Sequence, residues 1–233
     1  MEVLGIDVET TGLDFATDRI TEISAVLWDT ERKIPLKFYS TLVKEDDRPK
    51  INDSEVVTII TDEMIEKYGV RPTTVLAPLT FLFQKVDVIV AHNGNKFDRP
   101  MLEMFYKGYD CTFPTNVWID TMTDIKYPQH CISRNLLYLA AFHGFVNPFP
   151  HRSLFDVVTM LKVLSFYDIQ DILDRAQSPI VSLKAAVSYE DKDLAKAAGF
   201  KWDPDLKIWY MELKECDITE EWKRNLPFKV IQM

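Results

Sequence analysis

The chain has 233 residues, 47% hydrophobic, 12% aromatic and 27% charged, with a net charge of −9. That apolar content excludes a disordered or low-complexity chain, and no run approaches the ~18 consecutive apolar residues of a membrane span. An acidic chain repels polyanions at long range, yet carboxylates that hold divalent cations invert the local field, so composition leaves an acid-rich nucleic-acid enzyme open. The start Met1-Glu2-Val3-Leu4-Gly5-Ile6-Asp7 lacks the basic and apolar pattern of a signal peptide. Cys111, Cys131 and Cys216 are odd in number, far apart and without C-x-x-C spacing. They point to buried thiols and a cytoplasmic location.

In chain order, Val3, Ile6 and Val8 predict a first strand and Thr10-Thr11-Gly12-Leu13-Asp14 a turn. Ile20, Ile23, Ala25 and Leu27 predict a second strand, and Lys33 to Val43 a third, completing an antiparallel meander. The charged stretch Lys44 to Asp53 reads as a loop. Thr61 caps a helix carrying Met64 and Ile65, and another helix is expected from Pro72 to Phe83. Val86 to Ala91 has the continuous apolar character of a buried parallel strand. Asn93-Gly94-Asn95 is a turn, Pro100 suits the first turn of the next helix, and Val117 to Asp120 is a last strand. Amphipathic helices are expected over Leu136–Phe142 and Leu154–Leu173. A meander followed by alternating helices and strands implies an α/β mixed sheet covered on both faces.

The pattern restarts near Ser178-Pro179, dividing the chain into residues 1–178 and an accessory α+β module, 179–233. From Ile180 onward, nine Lys/Arg nearly balance ten Asp/Glu, in the order strand, helix, strand, strand, short helix.

Three short segments carry the chemistry. Asp7 and Glu9 are two apart on a strand, so both carboxylates leave one face while Ile6 and Val8 leave the other. Asp98 follows a buried strand in Ala91-His92-Asn93-Gly94-Asn95-Lys96-Phe97-Asp98, where an Asp also suits a helix cap. His151 stands in a proline-bounded loop, and Ser153 can cap a helix that holds Asp156 about one turn in, aiming an imidazole and a carboxylate at one point. Asp120 and Asp124 read as capping or surface carboxylates, His143 as a helix C-terminus, His130 as an exposed loop residue, and His92 and Asn93 as braces for the second segment.

Together the segments resemble the three motifs of the DEDD superfamily of 3′→5′ exonucleases, in its histidine subclass, over roughly residues 2–166. Asp7-Val8-Glu9-Thr10-Thr11-Gly12-Leu13 is similar to the first motif, His92-Asn93 through Asp98 to the second, and His151-Arg152-Ser153-Leu154-Phe155-Asp156 to the third. Ile20-Thr21-Glu22-Ile23 and Ile119-Asp120-Thr121 fit as flanks. Ser153 and Phe155 depart from the residues common in the family without removing a ligand. The resemblance implies a ribonuclease-H-like fold and a metal-dependent exonuclease acting on single-stranded 3′ ends, more of DNA than RNA, releasing nucleoside 5′-monophosphates. Asp7, Glu9, Asp98 and Asp156 would hold two Mg²⁺ or Mn²⁺ ions, hard cations that match oxygen ligands. His151 would act as general base. Thr10, Leu13 and Asn93 are the candidates for contact with the terminal nucleotide. An RNA-trimming enzyme, a polymerase-bound proofreading subunit and a non-catalytic binding protein are the competing readings. Mutually repelling acids count against the last.

The module has its own resemblance. Ala195-Lys196-Ala197-Ala198-Gly199-Phe200-Lys201-Trp202-Asp203-Pro204 and Trp209-Tyr210 are similar to a small domain of phage and plasmid DNA-processing proteins. Phe200, Trp202, Trp209 and Tyr210 are either core or base-stacking surfaces. Lys184, Lys192, Lys196, Lys201 and Lys207 are candidates to meet phosphates.

Overall fold

In the computed structural model, which describes residues 1–51 and 59–233, the N-terminal alternation becomes β1 (Glu2–Thr10). The meander continues through β2 (Ile20–Asp29) and β3 (Ile34–Leu42). After it come α1 (Asp62–Tyr68), α2 (Pro72–Phe83), β4 (Val88–Ala91), α3 (Asp98–Gly108) and β5 (Val117–Asp120). Of the expected charged loop, Lys44 to Ile51 is turn and coil, while Asn52 and Asp53 lie outside the described residues. Thr61 caps α1 as expected, its side chain accepting from the Met64 N–H.

The strands form one mixed sheet in the order β3-β2-β1-β4-β5. β1 is antiparallel to β2 and parallel to β4, which is parallel to β5. Period-two alternation gives β1 two apolar neighbourhoods. Leu4, Ile6 and Val8 join the core that α2 and α3 cover. Val3 joins the opposite core, with α4 (Leu136–Phe142), α5 (Ser153–Leu164) and α6 (Ile169–Gln177). Gly5 belongs to that second face, where a Cβ would stand 2.7 Å from Leu161 and 2.9 Å from Val157. Its missing side chain lets α5 lie directly on β1. That fixes where the N-terminal turn of α5 ends up relative to Asp7 and Glu9.

The single helix expected over Leu154–Leu173 is two helices. The apolar pattern runs through Phe166 and Tyr167, but α5 closes at Ser165, and the Asp168 carboxylate accepts from the N–H groups of Gln170 and Asp171 to start α6. The Asp168 cap, rather than the hydrophobic pattern, sets the break. Cys131 is buried, whereas Cys111 and Cys216 are exposed, which corrects the expectation of three buried thiols. Apolar periodicity says nothing about single cysteines in loops.

The chain divides into two compact units, Met1–Ala176 and Gln177–Met233. The second has β6 (Ile180–Ala186), α7 (Lys192–Ala197), β7 (Lys201–Asp203), β8 (Ile208–Lys214), α8 (Glu220–Arg224) and β9 (Lys229–Gln232). Its sheet runs β7-β8-β6-β9 around Leu183, Ala185, Ala195 and Phe200. The last strand, β9, extends the element order read from the sequence. No helix among the described residues is long and apolar enough to cross a membrane.

Candidate active site

Asp7 and Glu9 emerge half-buried from the C-terminal half of β1, on the face that α5 covers. Asp156, in the first turn of α5, meets them there: one carboxylate oxygen from each of the three lies within 4.8 Å of the others. Among the described residues, neither the Asp7 nor the Glu9 carboxylate accepts a hydrogen bond. Asp98 stands beside this group. It opens α3, is 2% exposed, and its Oδ1 accepts the Val8 N–H at 3.1 Å, tying the start of the helix to β1. It is the first residue of the helix rather than its cap, which is Phe97.

The electrostatics follow from burial without compensation. Burial, then repulsion from Asp98, Glu9 and Asp156, holds the Asp7 carboxyl well above the usual range. Burial and the charges of Asp156, Glu22 and Asp98 push Glu9 up to about 8, with Arg152 partly opposing. Asp98 is pushed up to about 7, mainly by burial. Asp156 rises to about 6, burial outweighing donation from the His151 N–H, the His151 charge and Asn147. Acids so placed resist full ionisation at neutral pH unless a cation joins them. The donor set is oxygen only, which suits a hard divalent ion.

His151 is exposed, and its backbone lies in the left-handed region at φ 61°. Its N–H donates to Asp156 Oδ2 at 2.9 Å, and Asn147 Nδ2 donates to Oδ1 at 2.6 Å. The loop and the carboxylate are therefore one unit, with the imidazole free at its edge.

What holds this loop is Glu22, quoted from the sequence only as a flank. It is 1% exposed on β2, opposite Glu9 in the strand register. Arg152 grips it through Nε and Nη2, the latter at 2.7 Å, and the Ser153 N–H donates to it at 2.9 Å. Ser153 therefore does not cap α5; the Glu22 carboxylate of β2 accepts its N–H instead. The Ser153 hydroxyl bonds Ser24 at 2.6 Å, also on β2. A charged residue in a mostly apolar strand, with an arginine inside the third motif, was the available signal.

Asp120 and Asp124 are not surface residues: they are 2% and 1% exposed. Asp120 accepts the N–H groups of Asn93, Asn95 and Met122, and Asp124 accepts that of Asp120. They fold the turns after β4 and β5. His92 joins the same brace, with Nδ1 on Thr121 and Nε2 on the Arg134 carbonyl. Both ring nitrogens are engaged. His143 caps the C-terminus of α4, and His130 is exposed, as expected.

Of the substrate candidates, Leu13 is 76% exposed at the turn after β1. Thr10 is buried, its hydroxyl donating to the Gly12 carbonyl at 2.6 Å. Gly12 leaves room there: a Cβ would stand 2.4 Å from the Asp18 carboxylate, displacing the group that ties the turn through Thr11 and Asp14. Asn93 holds φ 66° with its N–H on Asp120.

The exonuclease family matches residues 4–164, and a domain of unknown function matches residues 181–233. The DNA polymerase III PolC-type of Thermotoga petrophila is 33% identical over 190 residues, covering 79% of this chain and 13% of that protein. The chain spans 11–13% of the length of the first curated relatives it matches. Two solved structures share the fold. The zinc-bound E. coli exonuclease I–ssDNA complex has a TM-score of 0.59 at 22% identity, over 70% of this chain and 39% of that one. The nuclease domain of 3′hExo, a DEDDh family member bound to rAMP, has a TM-score of 0.58 at 15% identity, over 71% and 90%. The match from β1 through α5 takes in every carboxylate of the open cluster together with the loop that Asp156 holds: the chain belongs to the exonuclease family.

Proposed function

We propose that the first unit hydrolyses single-stranded nucleic acid from its 3′ end, releasing nucleoside 5′-monophosphates. The convergence of Asp7, Glu9 and Asp156, with no donor on the first two carboxylates and the His151 ring free beside them, carries this reading. Asp7, Glu9 and Asp156 would hold a divalent ion, and Asp98, with Oδ1 engaged by Val8, keeps Oδ2 for a second. Mg²⁺ or Mn²⁺ bound there would neutralise the phosphate, acidify the attacking water and steady the leaving oxygen.

The chain's own part is positional and basic. His151 Nδ1 or Nε2 takes a proton from water as its oxygen bonds to phosphorus, the P–O3′ bond breaks, and the 3′ oxygen is protonated from solvent. Asp156 holds the loop that presents the ring, and Glu22 holds Arg152 and Ser153 behind it. Leu13, exposed at the turn after β1, would touch the terminal base. DNA is the preferred substrate. The curated relatives are DNA polymerases III, and the exonuclease I structure is a complex with ssDNA. RNA is the second reading, supported by the rAMP on 3′hExo.

End-labelled DNA and RNA strands, single and double, incubated with Mg²⁺, Mn²⁺ or EDTA, test this. The expected product is a ladder shortening from the 3′ end, absent in EDTA. Shortening from the 5′ end, or none with either metal, overturns it.

A further inference from the structure

The aromatic side chains of the second unit divide into two groups. Phe200 is 3% exposed and meets Phe228 edge-on at 5.4 Å, which makes it core. Trp202 and Trp209 face each other across β7 and β8, ring centres 5.7 Å apart and planes at 56°. Trp202 is 48% exposed, and Tyr189, in the loop before α7, is 82% exposed. These three rings line a groove of about 570 Å³, within the ~300–1,000 Å³ typical of ligand sites.

The groove carries one sign of charge. Lys184, Lys192 and Lys207 line it, and no Asp or Glu does. Lys192 Nζ sits 4.3 Å from the centre of the Tyr189 ring, while Lys207 is exposed at the β7–β8 turn. Among the described residues, none of the three lysines is drawn into an ion pair. In a chain of net charge −9, three lysines outside any such ion pair, beside the exposed rings of Tyr189 and Trp202, complement an anionic ligand with flat rings. Those are the two chemistries of an unpaired nucleotide run: bases stack on aromatics and phosphates meet lysines.

We propose that this groove binds single-stranded nucleic acid, with Tyr189, Trp202 and Trp209 stacking bases and Lys184, Lys192 and Lys207 meeting phosphates. It deepens the nuclease reading, on which its choice of substrate rests, by giving the strand a second hold on a unit without the repelling carboxylates of the first.

The test uses the full chain with long oligo-dT and oligo-U in EDTA, read by fluorescence anisotropy across a salt series. Tyr189→Ala and Trp202→Ala should each weaken binding about tenfold. Lys192→Gln with Lys207→Gln should flatten the salt slope by roughly 1.4, about 0.7 per single-strand phosphate contact. Turnover of a short oligomer with Mn²⁺ should not change. Should Trp202→Ala misfold the unit, the surface variants at Tyr189, Lys192 and Lys207 still decide the matter. Wild-type hydrolysis with strand affinity indifferent to every substitution overturns the groove and leaves a peptide as its occupant. Strand affinity that falls as expected in a chain that hydrolyses nothing keeps the groove and overturns the nuclease reading.

Discussion

The first unit buries two groups of carboxylates, and they differ in what meets their oxygens. Asp120, the last residue of β5, and Asp124 just beyond it are filled by backbone N–H groups that converge from the chain around them. The carboxylates of Asp7 and Glu9, on β1, receive no hydrogen bond among the described residues, and the neighbouring acids raise each of them further. Burial is common to both groups, so burial alone does not mark a site. A buried acid with its donors supplied holds the fold, whereas one left open stores a demand for a cation.

Substitution should separate the groups most sharply in the rate. Asp7→Asn or Asp156→Asn is expected to remove nearly all hydrolysis while the apo melting temperature holds or rises, because repulsion is relieved. Asp120→Ala should do the reverse. It leaves three N–H donors unsatisfied at a cost on the order of 3 kcal/mol, while the folded fraction keeps its turnover. Oligomer hydrolysis and thermal unfolding in EDTA, run on the same samples, check both.

His151→Ala should lower kcat by roughly 10²–10⁴-fold and leave the Mn²⁺-induced rise in melting temperature unchanged. Loss of that rise would make the imidazole a ligand rather than a base. Glu22 lies between the groups: it is fully buried like Asp120, but its partners, Arg152 and Ser153, carry the His151 loop. Arg152→Ala strands its charge, which costs about 3–5 kcal/mol, and should lower kcat. Glu22→Gln should keep part of the pairing and restore part of the rate, as unfolding curves and kinetics on both variants would show.

How much of this was legible in the sequence follows the same division. Asp7 and Glu9 were legible because strand periodicity alone puts them on one face, and the order of the three motifs supplied Asp98, His151 and Asp156. The bracing network was not. Asp120 draws its donors from Asn93 and Asn95, more than twenty residues away, and an acid's hydrogen-bond partners leave no local pattern. Asp168 was a stop signal of the ordinary capping kind, overridden by the apolar run around Phe166 and Tyr167. In the module, composition left Phe200 and Trp202 equivalent, and only burial in the folded unit separates a core ring from an open one.

The smallest expected effect is in pH. The acids around the cluster have folded values of about 6 for Asp156, about 7 for Asp98 and about 8 for Glu9, above the roughly 4 of unfolded carboxyls. Raised acid values mean that the apo form is favoured at low pH and loses stability as pH rises through that window. Melting temperature in EDTA should therefore fall across it, and the gain on adding Mn²⁺ should grow, since binding no longer displaces protons. Glu9→Gln should flatten both trends, as differential scanning calorimetry at several pH values would show.

The distinction between filled and open acids is tested most directly by diffraction from crystals soaked in Mn²⁺, with anomalous differences collected at the manganese edge. Density is expected between Asp7, Glu9 and Asp156, and none at Asp120 and Asp124. Density at the latter pair, or none beside β1, would contradict it.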